Sequence, residues 1–302
     1  MATNLMNHTA QLSEVKENKP AMSVDRDMQA QALLKLLGDD SPMVFEAVRD
    51  KIISLGSDTK IWLKPCLKNT DVLLRKRAEE LIRHFDRESA DARFLAFCLQ
   101  PSAELDLERG AWLLAQTQYP DINVEAYSAV LDDFAGELRE RLAQPISAHS
   151  ALTRMNDYIF TQLGFTGNLA NYYDPENSYL NRVLDRRTGN PISLCLIYQL
   201  LARRLFLPIY GIGLPGHSVC RYHSSTEEIY IDAFNLGRLM TREDCVNHLT
   251  RCNHELQAEY LAPMSTRRAL GRMCGNLEQI YIDAKDETNA ARMKRYLAAL
   301  TR

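Results

Sequence analysis

Four residues stand in an order that suits acyl-transfer chemistry. Asn190-Pro191 opens a strongly apolar segment carrying Ser193 and Cys195, a β-type run beginning at His217 follows, and a second contains Asp232. A thiol or hydroxyl near a helix start feels the helix's partial positive end, which favours the anionic nucleophile. An imidazole on a neighbouring strand serves as general base, and a carboxylate on the next strand fixes the imidazole's tautomer. His217 and Asp232 are fifteen positions apart, a spacing suited to adjacent antiparallel strands joined by a short turn. A histidine donating to a carboxylate is equally compatible with a purely structural buried pair. Ser193 also suits helix capping, and a buried free cysteine such as Cys195 ordinarily behaves as a small hydrophobe. On a helix Ser193 and Cys195 project about 200° apart, so one of them at most can face His217.

The elements that must position these groups follow from apolar spacing and breakers. Helical patterns run from Met28 to Leu37, Ser41 to Ile53, Thr70 to Ile82, through residues 91–165, and from Asn190 to Leu205 before Pro208. The first of these after residue 40 opens on Ser41-Pro42, a capping serine with proline at the first helical position. Between Gly164 and Pro191 the chain is rich in Gly, Asn, Asp and Pro and encloses one short helix after Ser178. Short β-type runs are expected at Ile209–Leu214, His217–Tyr222 and Glu228–Phe234. Helices resume at Arg242, Ser265–Ala284 and Thr288–Leu300. The fold class expected is mostly α with a small antiparallel sheet, an α+β chain. Its expected divisions are a polar arm over 1–26, a HEAT-like pair of helical repeats over 27–90, a central module over 91–262 and a tetratricopeptide-like hairpin over 263–302.

The run DPENSYLNRVLDRRTGNPISLCLIYQLLARRLFLPIYGIGLPGHSVCRY, with IYIDAFNLGRLMTREDC after it, resembles the transglutaminase-like family typified by bacterial SirB-type proteins. A related module occurs in some F-box proteins, and the likeness extends from about Leu105 to the C-terminal hairpin. The resemblance implies a papain-like central module with His217 of LPGH as base and Asp232 of YIDAFN as its orienting carboxylate. Catalytically active members carry a cysteine near the start of the preceding helix, at about Pro191 to Ser193 here, and this chain has none there. Ser193 is the positional match and Cys195 the nearest thiol. Two functions follow: a protein-interaction or regulatory module on a transglutaminase-like scaffold, or an amide-bond hydrolase or acyl-transferase using Ser193 or Cys195 with His217 and Asp232. The expected partner is accordingly a protein, or a peptide substrate.

Asn177, Asn181, Arg187 and Asn235 are further polar groups able to line the same cleft or to satisfy loop backbone. Cys245, His248 and Cys252 share a helical face, but a zinc site draws on separated ligand pairs and a fourth donor, so no metal is expected. No acidic calcium loop is present, GIGLPG does not lead from a strand into a helix, and no cofactor is expected.

Composition narrows the classes. Among 302 residues, 36 basic and 39 acidic side chains leave a net charge of −3, which gives no global pull toward nucleic acid or an anionic membrane. RKRAEELIR and TRRALGR read as solvated helix surface. No apolar run reaches the ~18–20 residues of a membrane span. The first twenty residues lack the basic and apolar regions of a secretory signal. Seven scattered cysteines point to reduced thiols, so a cytoplasmic location is expected.

Overall fold

The computed structural model describes residues 22–144 and 146–301, so the expected arm lies, up to residue 21, outside the described residues. The chain divides into two units, at residues 1–85 and 86–302, within one long helix. The first unit holds α1 (Met22–Leu37), α2 (Pro42–Leu55), the short α3 (Lys60–Leu63) and the start of α4 (Val72–Cys98). Residues 22–26 are thus helical, six positions upstream of where the apolar pattern becomes visible. Pro42 occupies the first turn of α2, as its missing N–H allows. Asp71, rather than Thr70, caps α4, its carboxylate accepting from the Leu73 and Leu74 N–H groups. Leu37, Val48, Ile52, Leu63, Ala78, Leu81 and Phe85 form this unit's core. Arg77 departs from the solvated reading: it is buried, donates to the carbonyls of Leu37, the last residue of α1, and of Asp39 beyond it, and lies over the Phe45 ring. A cation at a helix C-terminus answers orphan carbonyls and the negative dipole end.

The second unit continues with α5 (Leu107–Gln118), α6 (Val124–Arg141), α7 (Ala148–Asn156), α8 (Leu180–Arg186), α9 (Pro191–Arg204), α10 (Arg242–Arg251), α11 (Thr266–Asp283) and α12 (Glu287–Leu300). Two-residue strands β1 (Thr166–Gly167) and β2 (Thr188–Gly189) pair in parallel. Strands β3 (Ile209–Ile212), β4 (Val219–His223), β5 (Glu228–Asp232) and β6 (Arg238–Met240) form an antiparallel sheet in that order. The β1–β2 pair and β6 had no sequence signal, because two- and three-residue strands carry too little alternation to show.

Side chains alternate across the sheet as the pleat requires. Cys220 and Ile231 enter the large core with α9, whereas Val219 and Tyr230 pack with Cys245 and Leu249 of α10. Asp232 shares the parity of Tyr230, and Arg238 is its cross-strand partner. Arg267 and Arg272 of α11 also depart from the solvated reading. Arg267 donates to the carbonyls of Cys98, Gln100, Ala299 and Leu300, at the ends of α4 and α12. Arg272 is described with the site.

All seven cysteines are free thiols. Among the described residues no helix is long and apolar enough to cross a membrane.

Candidate functional site

His217 lies in a turn, two residues before β4, and not in the strand expected there. Leu214-Pro215-Gly216-His217 has proline second, glycine third at φ +69°, and the His217 N–H donating to the Leu214 carbonyl at 3.1 Å. These are the marks of a type II turn, whose third position requires a left-handed residue. Arg272 holds the turn from outside: its Nη2 donates to the carbonyls of Leu214 (2.9 Å) and His217 (2.8 Å). Burial pushes the Arg272 pKa down, and the neighbouring Arg268 charge adds to this. A methyl group on Gly213 would come within 2.5 Å of Arg272 Nη1, so a side chain there would have to displace the guanidinium that holds the turn.

Asp232 ends β5 and caps the short turn Ala233–Asn235. His217 Nε2 meets Asp232 Oδ2 at 3.0 Å, Asn235 Nδ2 donates to the same oxygen at 2.8 Å, and the Asn235 N–H donates to Oδ1 at 3.2 Å. The sequence-predicted pair is thus brought together, with Asn235 as its third member. With Nε2 engaged by the carboxylate, Nδ1 is the imidazole nitrogen left to exchange a proton with a ligand. Burial works to raise the Asp232 carboxyl, but bonds from His217 and Asn235, with the His217 charge, outweigh it and hold the group below the usual aspartate range.

A carboxyl depressed in the folded state adds stability above its unfolded pKa of about 3.9, and that contribution disappears as pH falls through the lower folded value. The stability advantage of wild type over Asp232→Asn, read from urea midpoints, should therefore be full at pH 5 and shrink toward pH 3. An advantage that grows on acidification would contradict the assignment.

A cavity of about 330 Å³ opens over the pair. Its apolar wall is Tyr172, Pro191, Leu214, Phe234 and Met240; the polar wall adds Asn235, Arg238, Asp244, His248 and Arg251 to His217 and Asp232. Phe234 meets His217 edge-on at 6.1 Å and Tyr172 at 5.8 Å, so rings lead outward from the imidazole. The His217 and His248 rings lie 5.6 Å apart.

Neither candidate nucleophile is among the described residues lining this cavity. Ser193 is fully buried in a capping box: its Oγ accepts from the Asn190 N–H at 3.0 Å and reaches the Asn190 carbonyl at 3.1 Å, while its own N–H donates to Asn190 Oδ1. Gly189 permits this, since a methyl there would stand 2.5 Å from Ser193 Oγ. Cys195 is fully buried, its carbonyl accepts from Cys220 Sγ, and burial first, then the Cys220 thiol and the Asp232 charge, raise its pKa well above an ordinary thiol's. The α9 residue that reaches the cavity is Pro191, which has neither nucleophile nor N–H.

The other polar residues singled out in sequence separate. Asn177 is buried, with Nδ2 donating to the carbonyls of Asn171 and Tyr172, and so braces the loop behind Tyr172. Asn181 is buried in α8, and the Arg187 guanidinium sits against the rings of Phe134 (4.6 Å) and Phe165 (4.9 Å). Cys245 is buried under the sheet, and burial with nearby acidic charge pushes its thiol up to about 12. His248 lines the cavity instead, its Nε2 3.4 Å from the Pro215 carbonyl and 3.8 Å from the exposed Cys252 Sγ. Sequence reasoning missed Arg238, Asp244, Arg251 and Arg272. Asp244, His248 and Arg251 recur at i, i+4 and i+7, a polar face that the helical period makes visible.

The model of the transglutaminase-like superfamily matches residues 125–275, which contain every side chain of the cavity. The chain belongs to the transglutaminase-like superfamily. It is 35% identical over 194 residues to a UPF0162 protein of Xylella fastidiosa, covering 62% of this chain and 69% of that protein. A UPF0162 protein of Pseudomonas aeruginosa is 28% identical over 190 residues, 61% of this chain and 67% of its own. Human F-box only protein 21 is 35% identical over 134 residues, 42% of this chain and 21% of that protein. No solved structure matches. Within this transglutaminase-like chain, then, the His217 imidazole and the Asp232 carboxylate are assembled, and Pro191 is the α9 residue on the cavity wall.

Proposed function

We propose that this chain is a transglutaminase-like protein-interaction module of SirB type, which holds a peptide segment in the His217 cavity without forming a covalent bond to it. The observation that carries this reading is the pairing of a formed cavity with two candidate nucleophiles that are both fully buried and outside its wall. Acyl transfer needs an attacking atom within about 3–3.5 Å of the carbonyl carbon, and a proline ring supplies none. In the same reading the first unit is a HEAT-like layer and α11–α12 a tetratricopeptide-like hairpin, both architectures that present extended faces to protein partners.

The intact His217–Asp232–Asn235 set favours a second reading, amide-bond hydrolysis or acyl transfer through Ser193 or Cys195. It requires α9's first turn to open, giving up the Asn190–Ser193 capping box. One experiment separates the two. The folded chain is treated with iodoacetamide and, separately, with a fluorophosphonate, and modified peptides are mapped in wild type and His217→Ala. The module reading expects alkylation first at exposed Cys252 and none that depends on His217. Modification of Cys195 or Ser193 that is lost in His217→Ala overturns it.

A further inference from the structure

Two exposed guanidiniums line the cavity, and both act on the one Asp244 carboxylate that lines it with them. Arg238 projects from β6 opposite Asp232, and Arg251 closes α10. Among the described residues neither forms an ion pair, although Arg182, Arg186, Arg204, Arg221 and Arg292 all do. The two carboxylates of the cavity are already engaged. Asp232 serves His217 and Asn235, and Asp244 Oδ2 accepts from the Thr241 N–H (2.8 Å) and hydroxyl (2.9 Å) at the start of α10. The His248 imidazole, Phe234 and Met240 line the same cavity.

Two cations that share one carboxylate leave a net positive charge in a concave, partly apolar wall, and such a wall draws an anion. A guanidinium presents parallel N–H donors that match the two oxygens of a carboxylate. An apolar side chain beside that carboxylate would rest against Phe234 and Met240. At about 330 Å³ the cavity is at the small end of the ~300–1,000 Å³ range of ligand sites. That suits one or two residues of an extended chain.

We infer that the cavity selects a peptide bearing a carboxylate next to an apolar side chain, with Arg238 and Arg251 as the specificity-determining residues. The inference rests on the peptide-binding reading above and adds the chemistry of the peptide. The carboxylate can be a Glu or Asp side chain or a chain terminus, and the test distinguishes them. Full-length protein labelled with ¹⁵N is titrated with Ac-Phe-Glu-NH₂, Ac-Phe-Gln-NH₂ and Ac-Phe-Gly-OH, following the His217 and His248 imidazole signals. At least one carboxylate peptide should bind tenfold or more tightly than Ac-Phe-Gln-NH₂, and the preference should vanish in Arg238→Gln/Arg251→Gln. Tighter binding of Ac-Phe-Glu-NH₂ than of Ac-Phe-Gly-OH assigns a side chain, and the reverse order a terminus.

Equal binding of the Glu and Gln peptides, or a preference that survives in the double variant, overturns the carboxylate assignment and leaves the module reading standing. So does displacement of the peptide by inorganic phosphate at lower concentration than by acetate. No shift from any peptide at millimolar concentration overturns the assignment as well. A His217-dependent adduct in the labelling experiment overturns the module reading instead, so the two failures are distinct.

Discussion

Asp232→Ala should lower the urea midpoint by an amount equivalent to about 1–3 kcal/mol, the usual cost of leaving hydrogen-bonding groups without their partner. The size follows from what the truncation strands. His217 Nε2, Asn235 Nδ2 and the Asn235 N–H all meet this carboxylate, and its side chain is only 8% exposed. A buried donor left without an acceptor costs about 1–3 kcal/mol. Asp232→Asn should cost less, because the amide oxygen still accepts from one or two of the three donors. Equilibrium unfolding of both variants checks the order: alanine as mild as asparagine, or either within about 0.5 kcal/mol of wild type like an ordinary surface change, would mean the three bonds do not hold the site.

Gly237→Ala is expected to damage the same corner from the other side. Gly237 follows the Asp232 turn with φ +73°, donates its N–H to the Asp232 carbonyl at 2.9 Å, and accepts from Asn156 Nδ2. A methyl group there would lie 2.4 Å from Asn156 Cγ and 2.5 Å from Phe160 Cε2. Left-handed backbone in a residue with a side chain costs about 1–3 kcal/mol, and overpacking a filled site about as much again. The expected destabilisation is thus about 2–6 kcal/mol by urea unfolding, with the His217 imidazole resonance displaced. Gly136, whose added methyl would meet nothing within 4 Å, is the matched control on α6 and should lose nothing to alanine. Equal behaviour of the two variants would contradict the packing described here.

Much of this site is legible without coordinates because its parts are punctuated locally. Asn190-Pro191 sets the start of α9, LPGH spells a turn with proline and glycine in their required places, and the β-branched and aromatic run Ile229, Tyr230, Ile231 marks β5. These signals are short-range, and they bring His217 to Asp232. What stays hidden is long-range. Nothing near Arg272 in sequence announces that its guanidinium will hold the Leu214–His217 turn, 55 to 58 positions away. Arg77 and Arg267 hide in the same way, since an arginine that answers distant helix carbonyls looks in sequence like one facing water. The three residues of β6 fall below the length at which alternation can be read. Ser193 shows another limit: its capping geometry is local, but whether such a serine also opens to a cavity depends on the Gly189 contact and on Pro191 being the residue that reaches the wall.

We hold that the cavity pairs His217 with Asp232 but has neither Ser193 nor Cys195 among its described lining residues, and rapid-quench acylation tests this. The full-length protein is mixed with excess p-nitrophenyl acetate, p-nitrophenolate release is followed from milliseconds onward, and the protein's intact mass is determined at each time. No stoichiometric burst and no acetyl group on Ser193 or Cys195 are expected. A burst of one equivalent, with the acetyl mapped to either residue and abolished by His217→Ala, would contradict this.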